Sequence, residues 1–262
     1  MQNYAFLLRI RPVELAQALK SVLKIRRREY RIGEYLLWLD PVSDLGYRIL
    51  NQGEYEPEMI SVLTACLTSG SIFVDLGTNE GYLSLRASKL VGPKGHVYSI
   101  EPQSRLWPVI IKNLLLNRAT NYTLIPYAVS EAEGNIDMVI YPSINTGASS
   151  AVRTLRTSRF ETERCAALPL SDIIDRFNIP AIDLMKIDIE GFELNALRSL
   201  GRYLAQGVVK RFIIEVHPRQ MRDLGQSPDE LSDLMRRSGY RRIESEAGEL
   251  WEFESPDRSG LR

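Results

Sequence analysis

SIFVDLGTNEGYLSL, Ser71 to Leu85, passes from a buried strand through a glycine turn into the start of a helix. Ile72, Phe73 and Val74 form a short apolar run that ends at Asp75. Gly77-Thr78-Asn79-Glu80-Gly81 makes the turn, and Leu83, Ala87 and Leu90 resume at helical spacing. Glycines at 77 and 81 let the backbone approach a ligand closely, and the helix behind them offers free N–H groups and a positive dipole end. A polar or anionic ligand group is expected against this turn.

A nicotinamide-binding loop would carry glycine two places after the first, making room for a pyrophosphate. Here that place is Asn79, and Asp75 stands just ahead of the turn. A carboxylate suits a cation better than a pyrophosphate, so a zwitterionic amino-acid moiety fits, such as that of S-adenosylmethionine. HVYSIE (96 to 101) then reads as a second strand ending in Glu101. Its distance of about 25 residues from Asp75 is where doubly wound folds place the acid that grips ribose hydroxyls. A glycine turn alone is common in α/β proteins; the pairing with Glu101 makes it specific.

The 262 residues, 44% of them hydrophobic, suffice for one large α/β domain with an extension. The expected division is an N-terminal helical extension (1–50), the main domain (51–254) and a disordered tail (255–262). Lys plus Arg and Asp plus Glu both total 33, so no global basic field calls for nucleic acid, and a small-molecule partner is expected. Cys66 and Cys165 lie in unrelated contexts without C-x-x-C spacing, which suggests neither a disulfide nor a metal site. No run approaches the roughly 20 apolar residues of a membrane span. Arg9 and Arg11 interrupt the first apolar residues too early for a signal peptide, so a cytoplasmic location is expected.

Residues 1–32 read as a basic amphipathic helix with Pro12 at its start and Leu15, Leu19, Val22 and Leu23 as its stripe. Its two readings are a cap on the main domain and a peripheral contact with anionic membrane. Residues 33–58 hold a loop-like DPVSDLG and then GEYEPEM, whose Gly53 and Pro57 bracket a turn, with a helix from Met59 to Leu67 after them. Further on come a helix over 104–117 capped by Ser104, a strand over 122–129, an added strand over 135–141 and a polar loop over 142–150.

IDLMKIDIEGFEL (182–194) should deliver Asp188 and Glu190 to the carboxyl edge of a parallel strand, where ligands bind in open α/β sheets. RFIIEVHP (211–218) should bring Glu215 and His217 to the same edge. The plainer reading makes Glu190 or Glu193 a helix-opening acid and His217 a structural histidine. Ser227 and Glu230 form a capping box, and YRRIE with ELWEF reads as a terminal antiparallel hairpin.

Taken in order, GEYEPEM, FVDLGTNEGYLSL, GHVYSIEP, Asn113 with Asn117, YAVSEAEG, LPLSDII, MKIDIEGFELNALRSL and FIIEVH resemble the FkbM-type methyltransferases. The resemblance covers roughly residues 43–245. It implies a class I, Rossmann-like, doubly wound and mostly parallel seven-stranded sheet. It also implies S-adenosylmethionine-dependent methylation of a hydroxyl oxygen on a sugar, glycan, glycolipid or natural product. By position, Asp75, Gly77, Asn79 and Gly81 correspond to the methionine-end pocket, Glu101 to the ribose ligand, and Ala128, Val129 and Ser130 to the adenine wall. Thr78 departs from the usual alanine and Glu80 from the usual apolar residue.

An alcohol is a weak nucleophile at neutral pH, so a base or a metal is required. The favoured arrangement places Asp188 beside the cofactor and the acceptor hydroxyl, with His217 or Glu190 taking the proton and no metal. The second arrangement has Asp188, Glu190 and Glu215 holding Mg²⁺. Two alternatives to the whole reading are a nicotinamide-dependent oxidoreductase and a catalytically silent binding protein of the same fold. The absence of a Tyr-x-x-x-Lys pair weighs against the first.

Overall fold

The computed structural model describes residues 5–10, 13–142 and 160–254. Its strands in chain order are β1 (Arg28–Ile32), β2 (Tyr35–Leu39), β3 (Ile72–Leu76), β4 (His96–Ile100), β5 (Tyr122–Ile125) and β6 (Ala128–Val129). Then come β7 (Gly134–Val139), β8 (Thr162–Leu168), β9 (Leu184–Ile187), β10 (Arg211–Ile214), β11 (Tyr240–Ile243) and β12 (Glu249–Phe253).

Seven strands form one sheet in the order β11-β12-β10-β9-β3-β4-β5. Only β12 runs against its neighbours, which is the doubly wound sheet with a terminal hairpin that the sequence leads one to expect. The chain enters at β3, winds outward through β4 and β5, and returns to β9 on the other side of β3. A crevice opens at that reversal, outside the carboxyl ends of the strands.

Helices cover both faces of the sheet, so its central strands are apolar nearly throughout. Val74, Leu76, Met185, Ile187, Phe212 and Ile214 pack into one layer, while Phe73, Leu184 and Ile213 pack into the other. Asp75 and Lys186 are the buried charged exceptions. They stand opposite each other in the β3–β9 register, on the face of Phe73 and Leu184.

Several local expectations are corrected. The strand expected over 122–129 stops at Ile125, because Pro126 has no N–H for the ladder. Ala128–Val129 instead joins a small sheet, β6-β8-β7, whose middle strand was not expected. Residues 104–106 form a 3-10 turn and the α-helix spans Trp107–Leu116, so Ser104 caps nothing and its backbone N–H goes to Glu163. Residues 33–58 are not loops throughout. The two residues Gly33 and Glu34 turn β1 into β2, and Ser43 caps a helix over Asp44–Gln52 by accepting from the Gly46 N–H.

The N-terminal extension therefore holds a hairpin as well as helices. Its helix Val13–Val22 does not bury the expected stripe: Leu15, Val22 and Leu23 are exposed, while Ala16 and Lys20 are buried, Lys20 against Asp40. An inward lysine with a buried acid for a partner has turned the helix face. The Ser227 cap is found as expected, accepting from the Glu230 N–H. No helix among the described residues is long and apolar enough to cross a membrane. The 142–150 loop beyond Pro142 and the 255–262 tail lie outside the described residues.

Candidate active site

A cavity of roughly 260 Å³ opens at the crevice. Gly77 holds its near wall. Its backbone is left-handed (φ 84°), and a Cβ placed there would fall 1.9 Å from the Asp188 carbonyl oxygen, so only glycine lets the β3 and β9 ends approach. Asn79 is also left-handed (φ 51°) and donates its N–H to Glu101 Oε2 at 2.9 Å. The Gln103 N–H reaches Glu101 Oε1 at 3.0 Å, fixing the carboxylate at the end of β4. Burial pushes the Glu101 carboxyl up to about 7, against the two backbone hydrogen bonds that lower it. Beyond Glu101 the wall turns apolar, with Pro102, Ala128, Val129, Ile136 and Met138 forming a slot suited to a flat heterocycle.

The other end of the cavity is acidic. Asp188 and Glu190 reach it from β9, Glu215 from β10, and Asp44 and Glu56 from the extension side. Lys186 Nζ, nearly fully buried, donates to Asp188 Oδ2 at 3.0 Å and lies 3.9 Å from Asp75 Oδ1. Burial lowers the lysine pKa, yet the charges of Asp188, Asp75 and Glu56 more than reverse this, so Lys186 stays protonated. His217 Nδ1 lies 2.8 Å from Glu193 Oε1. Its Nε2 faces Glu190 at 3.7 Å and both Asp188 and Glu215 at 3.9 Å.

Burial alone would lower the His217 pKa, but the Glu193 hydrogen bond and the charges of Glu190, Glu193 and Asp188 raise it to about 9. Burial raises the Glu190 carboxyl to about 7, with His217 pulling down and Asp188 pushing up. Glu56 and Glu190 join Asn79 in holding left-handed backbones (φ 49° and 52°), strain that clusters where a structure positions functional groups.

Of the residues singled out in the sequence, Gly77, Asn79, Glu101, Ala128, Val129, Asp188 and Glu190 line this cavity. Asp75, Gly81, Ser130 and His217 do not. Asp75 is fully buried behind the turn, its Oδ2 accepting from Thr78 at 2.8 Å and Ser84 at 2.6 Å. It shapes the turn rather than facing the cavity, and it explains the hydroxyl at position 78. Gly81 makes room for Ile110, 3.1 Å from where a Cβ would stand. Ser130 Oγ donates to the Ala132 carbonyl. His217 stands just behind the acids that line the wall.

Sequence reasoning missed Lys186, Glu56 and Asp44, and read Glu193 only as a helix-opening acid. Lys186 had a signal, since it shares a strand face with Asp188 two residues on. The charged Glu80 also finds its explanation: it is fully buried, with both oxygens bound at 2.7 Å by the Arg27 guanidinium. Arg27 stacks over Trp38 of β2, and Asn113 joins the two pieces by accepting from the Trp38 N–H and donating to the Glu80 carbonyl. Asn117 pairs with both backbone groups of Leu36. Asn113 and Asn117 thus tie the N-terminal hairpin to the Trp107–Leu116 helix, and Asn113 ties both to the glycine turn.

The sequence model described as the Methyltransferase FkbM domain matches residues 75–242, more than half of the chain. The chain belongs to the FkbM methyltransferase family. This FkbM chain is 24% identical over 246 residues to the AMB antimetabolite synthetase AmbE of Pseudomonas aeruginosa, covering 78% of the chain and 11% of that protein. It is 25% identical over 164 residues to methyltransferase sdnD of Sordaria araneosa, covering 52% of the chain and 62% of the relative. The FkbM chain thus spans less than two thirds of either curated relative. Among solved structures it is similar to an S-adenosylmethionine-dependent methyltransferase from Aquifex aeolicus (TM-score 0.42, 15% identity, 74% and 86% of the two chains). It is also similar to Aeropyrum pernix fibrillarin with natively bound S-adenosyl-L-methionine (TM-score 0.40, 11% identity, 74% and 72%).

The site's chemistry fits the S-adenosylmethionine that membership of this methyltransferase family leads one to expect. Glu101 offers a fixed carboxylate to a ribose, the apolar slot suits adenine, and the turn at Gly77 with Asp188 beyond it suits the zwitterionic end.

Proposed function

We propose that this FkbM methyltransferase methylates a hydroxyl oxygen of a sugar, glycan, glycolipid or natural-product acceptor at the acidic end of the cavity. The observation that carries the reading is the convergence of Asp188 and Glu190 on the cavity wall next to the glycine turn, with Asp188 held in place by buried Lys186. The bound cofactor supplies an electrophilic methyl on a sulfonium: the acceptor oxygen's lone pair forms the C–O bond as the C–S pair returns to sulfur.

The chain's own task is alignment and proton removal. Asp188, with one oxygen fixed by Lys186, accepts the acceptor hydroxyl's hydrogen bond and aims its oxygen. Glu190, on the same wall, takes the proton. His217 acts behind them, held by Glu193. The name of AmbE, an antimetabolite synthetase, is in keeping with a small-molecule acceptor.

Methyl-labelled cofactor, incubated with panels of glycans, glycolipids and natural products, tests this. The expected product carries an O-methyl ether by NMR. Glu190→Gln should lower turnover by about 10²- to 10⁴-fold with little change in binding of S-adenosylhomocysteine. Methylation of nitrogen or carbon only, or full turnover in Glu190→Gln, would overturn the reading.

A further inference from the structure

Among the described residues lining the cavity, six carry carboxylates (Asp44, Glu56, Glu101, Asp188, Glu190 and Glu215) and none is a lysine or arginine. Glu101 belongs to the cofactor end and Asp188 Oδ2 is taken by Lys186. That leaves five carboxyl groups at the acceptor end in a partly enclosed space, with Lys186 and His217 beside them. Such charges are kept together when a cation joins them.

We propose that Asp188, Glu215 and His217 form a divalent-cation site at this end of the cavity, suited to a first-row transition ion. One ligand atom from each lies within 4.8 Å of the other two. Two of the three are aimed by their surroundings. The lysine on Asp188 Oδ2 leaves Oδ1 turned toward His217 Nε2. Glu193 Oε1, on a fully buried residue and itself fixed by the Gly191 N–H at 2.9 Å, engages His217 Nδ1. When that nitrogen carries the hydrogen, the Nε2 lone pair points at the carboxylates, the carboxylate–histidine arrangement that orients metal-bound imidazoles. A second observation stands apart from the three ligands. Glu56 Oε2, on the cavity wall, is closed off from solvent and meets no hydrogen-bond partner among the described residues.

A mixed set of two carboxylates and one imidazole disfavours Ca²⁺ and Mg²⁺, which prefer all-oxygen shells, and suits a first-row transition ion, for which Mn²⁺ is the paramagnetic probe. Three protein ligands leave open positions, one of which would take the acceptor hydroxyl in place of its direct hydrogen bond to Asp188, lower its pKa and bring it beside Glu190. This last role rests on the O-methylation reading above; the site itself does not.

The test is a titration of the full chain with Mn²⁺, followed by electron paramagnetic resonance, with S-adenosylhomocysteine binding measured calorimetrically in parallel. One Mn²⁺ per chain is expected. Glu215→Gln, at a half-exposed position, should weaken Mn²⁺ binding more than about tenfold while leaving S-adenosylhomocysteine affinity unchanged. Glu193→Gln, acting through His217, should weaken it about 10- to 100-fold. No Mn²⁺ binding up to millimolar concentration, or equal binding by wild type and Glu215→Gln, overturns the site and leaves a cluster held by a protonated His217. Methyl transfer that persists in excess chelator removes the metal's catalytic role without touching the O-methylation reading. Mn²⁺ binding by a protein that yields no O-methyl product would do the reverse.

Discussion

Replacing Arg27 by methionine separates a buried charge from the guanidinium that pairs with it. Glu80 is fully buried, between Asn79 and Gly81 of the cofactor turn, and both its oxygens are bound at 2.7 Å by a guanidinium whose side chain is itself 15% exposed. Breaking a buried pair from one side costs about 3–5 kcal/mol, whereas a surface pair is worth at most about 1 kcal/mol. For a domain of this size each kcal/mol moves the melting temperature by roughly 2–4 °C, so Arg27→Met should melt about 6–20 °C lower. The double variant Arg27→Met/Glu80→Met removes both charges and should recover most of that loss. Because Glu80 belongs to the turn, S-adenosylhomocysteine affinity should fall in the single variant and return in the double. Differential scanning fluorimetry with and without ligand reads both effects. A drop of less than about 3 °C in Arg27→Met would show that Glu80 is not desolvated and that the N-terminal hairpin does not brace the turn.

Gly77→Ala would place a Cβ 1.9 Å from the Asp188 carbonyl in a left-handed backbone; calorimetry should find S-adenosylhomocysteine binding abolished. Glu101 titrates in the unliganded protein near pH 7, above the usual carboxyl range. The folded state therefore holds this proton more tightly than the unfolded one, and Glu101's contribution to stability falls as pH rises from about 4.5 to 7. Since the ribose hydroxyls need the ionised form as acceptor, cofactor affinity should run the other way, roughly tenfold weaker at pH 6 than at pH 8. Glu101→Gln should bind weakly with a flat pH profile. Asn113→Ala strips the Trp38 N–H of its acceptor; it should cost about 1–3 kcal/mol and speed hydrogen exchange at Trp38.

The parts of the fold legible in the sequence are those where local pattern and burial agree. β3, β4, β9 and β10 are apolar runs that each end near an acid, because strands covered on both faces need continuous hydrophobicity and their carboxyl ends meet the ligand. Glu101 was found through its spacing, and Asp188 and Glu190 through their place at a strand end. The N-terminal hairpin was missed because its strands REYRI and YLLWL lack clean alternation, and Asn113 and Asn117, 75 to 81 residues away, supply its backbone partners. β8 was missed for a similar reason: TERCAAL buries mainly small side chains and is defined by β7 across the sheet. Lys186 was missed because its partner in a buried strand is Asp75, which only the β3–β9 register places opposite it. Asp75 itself was placed at the ligand because the turn was read as a linear motif. In three dimensions its Oδ2 accepts from Thr78 and Ser84, and its Oδ1 faces Lys186 at 3.9 Å.

The central claim is that the cavity between Gly77, Glu101 and Asp188 holds S-adenosylmethionine, and isothermal titration of the wild-type chain with S-adenosylhomocysteine and with NAD at pH 8 tests it most directly. The geometry predicts one S-adenosylhomocysteine per chain, an affinity reduced more than about tenfold by Glu101→Gln, and no heat from NAD. Saturable NAD binding with none of the adenosyl compound, or S-adenosylhomocysteine binding indifferent to Glu101→Gln, would contradict it.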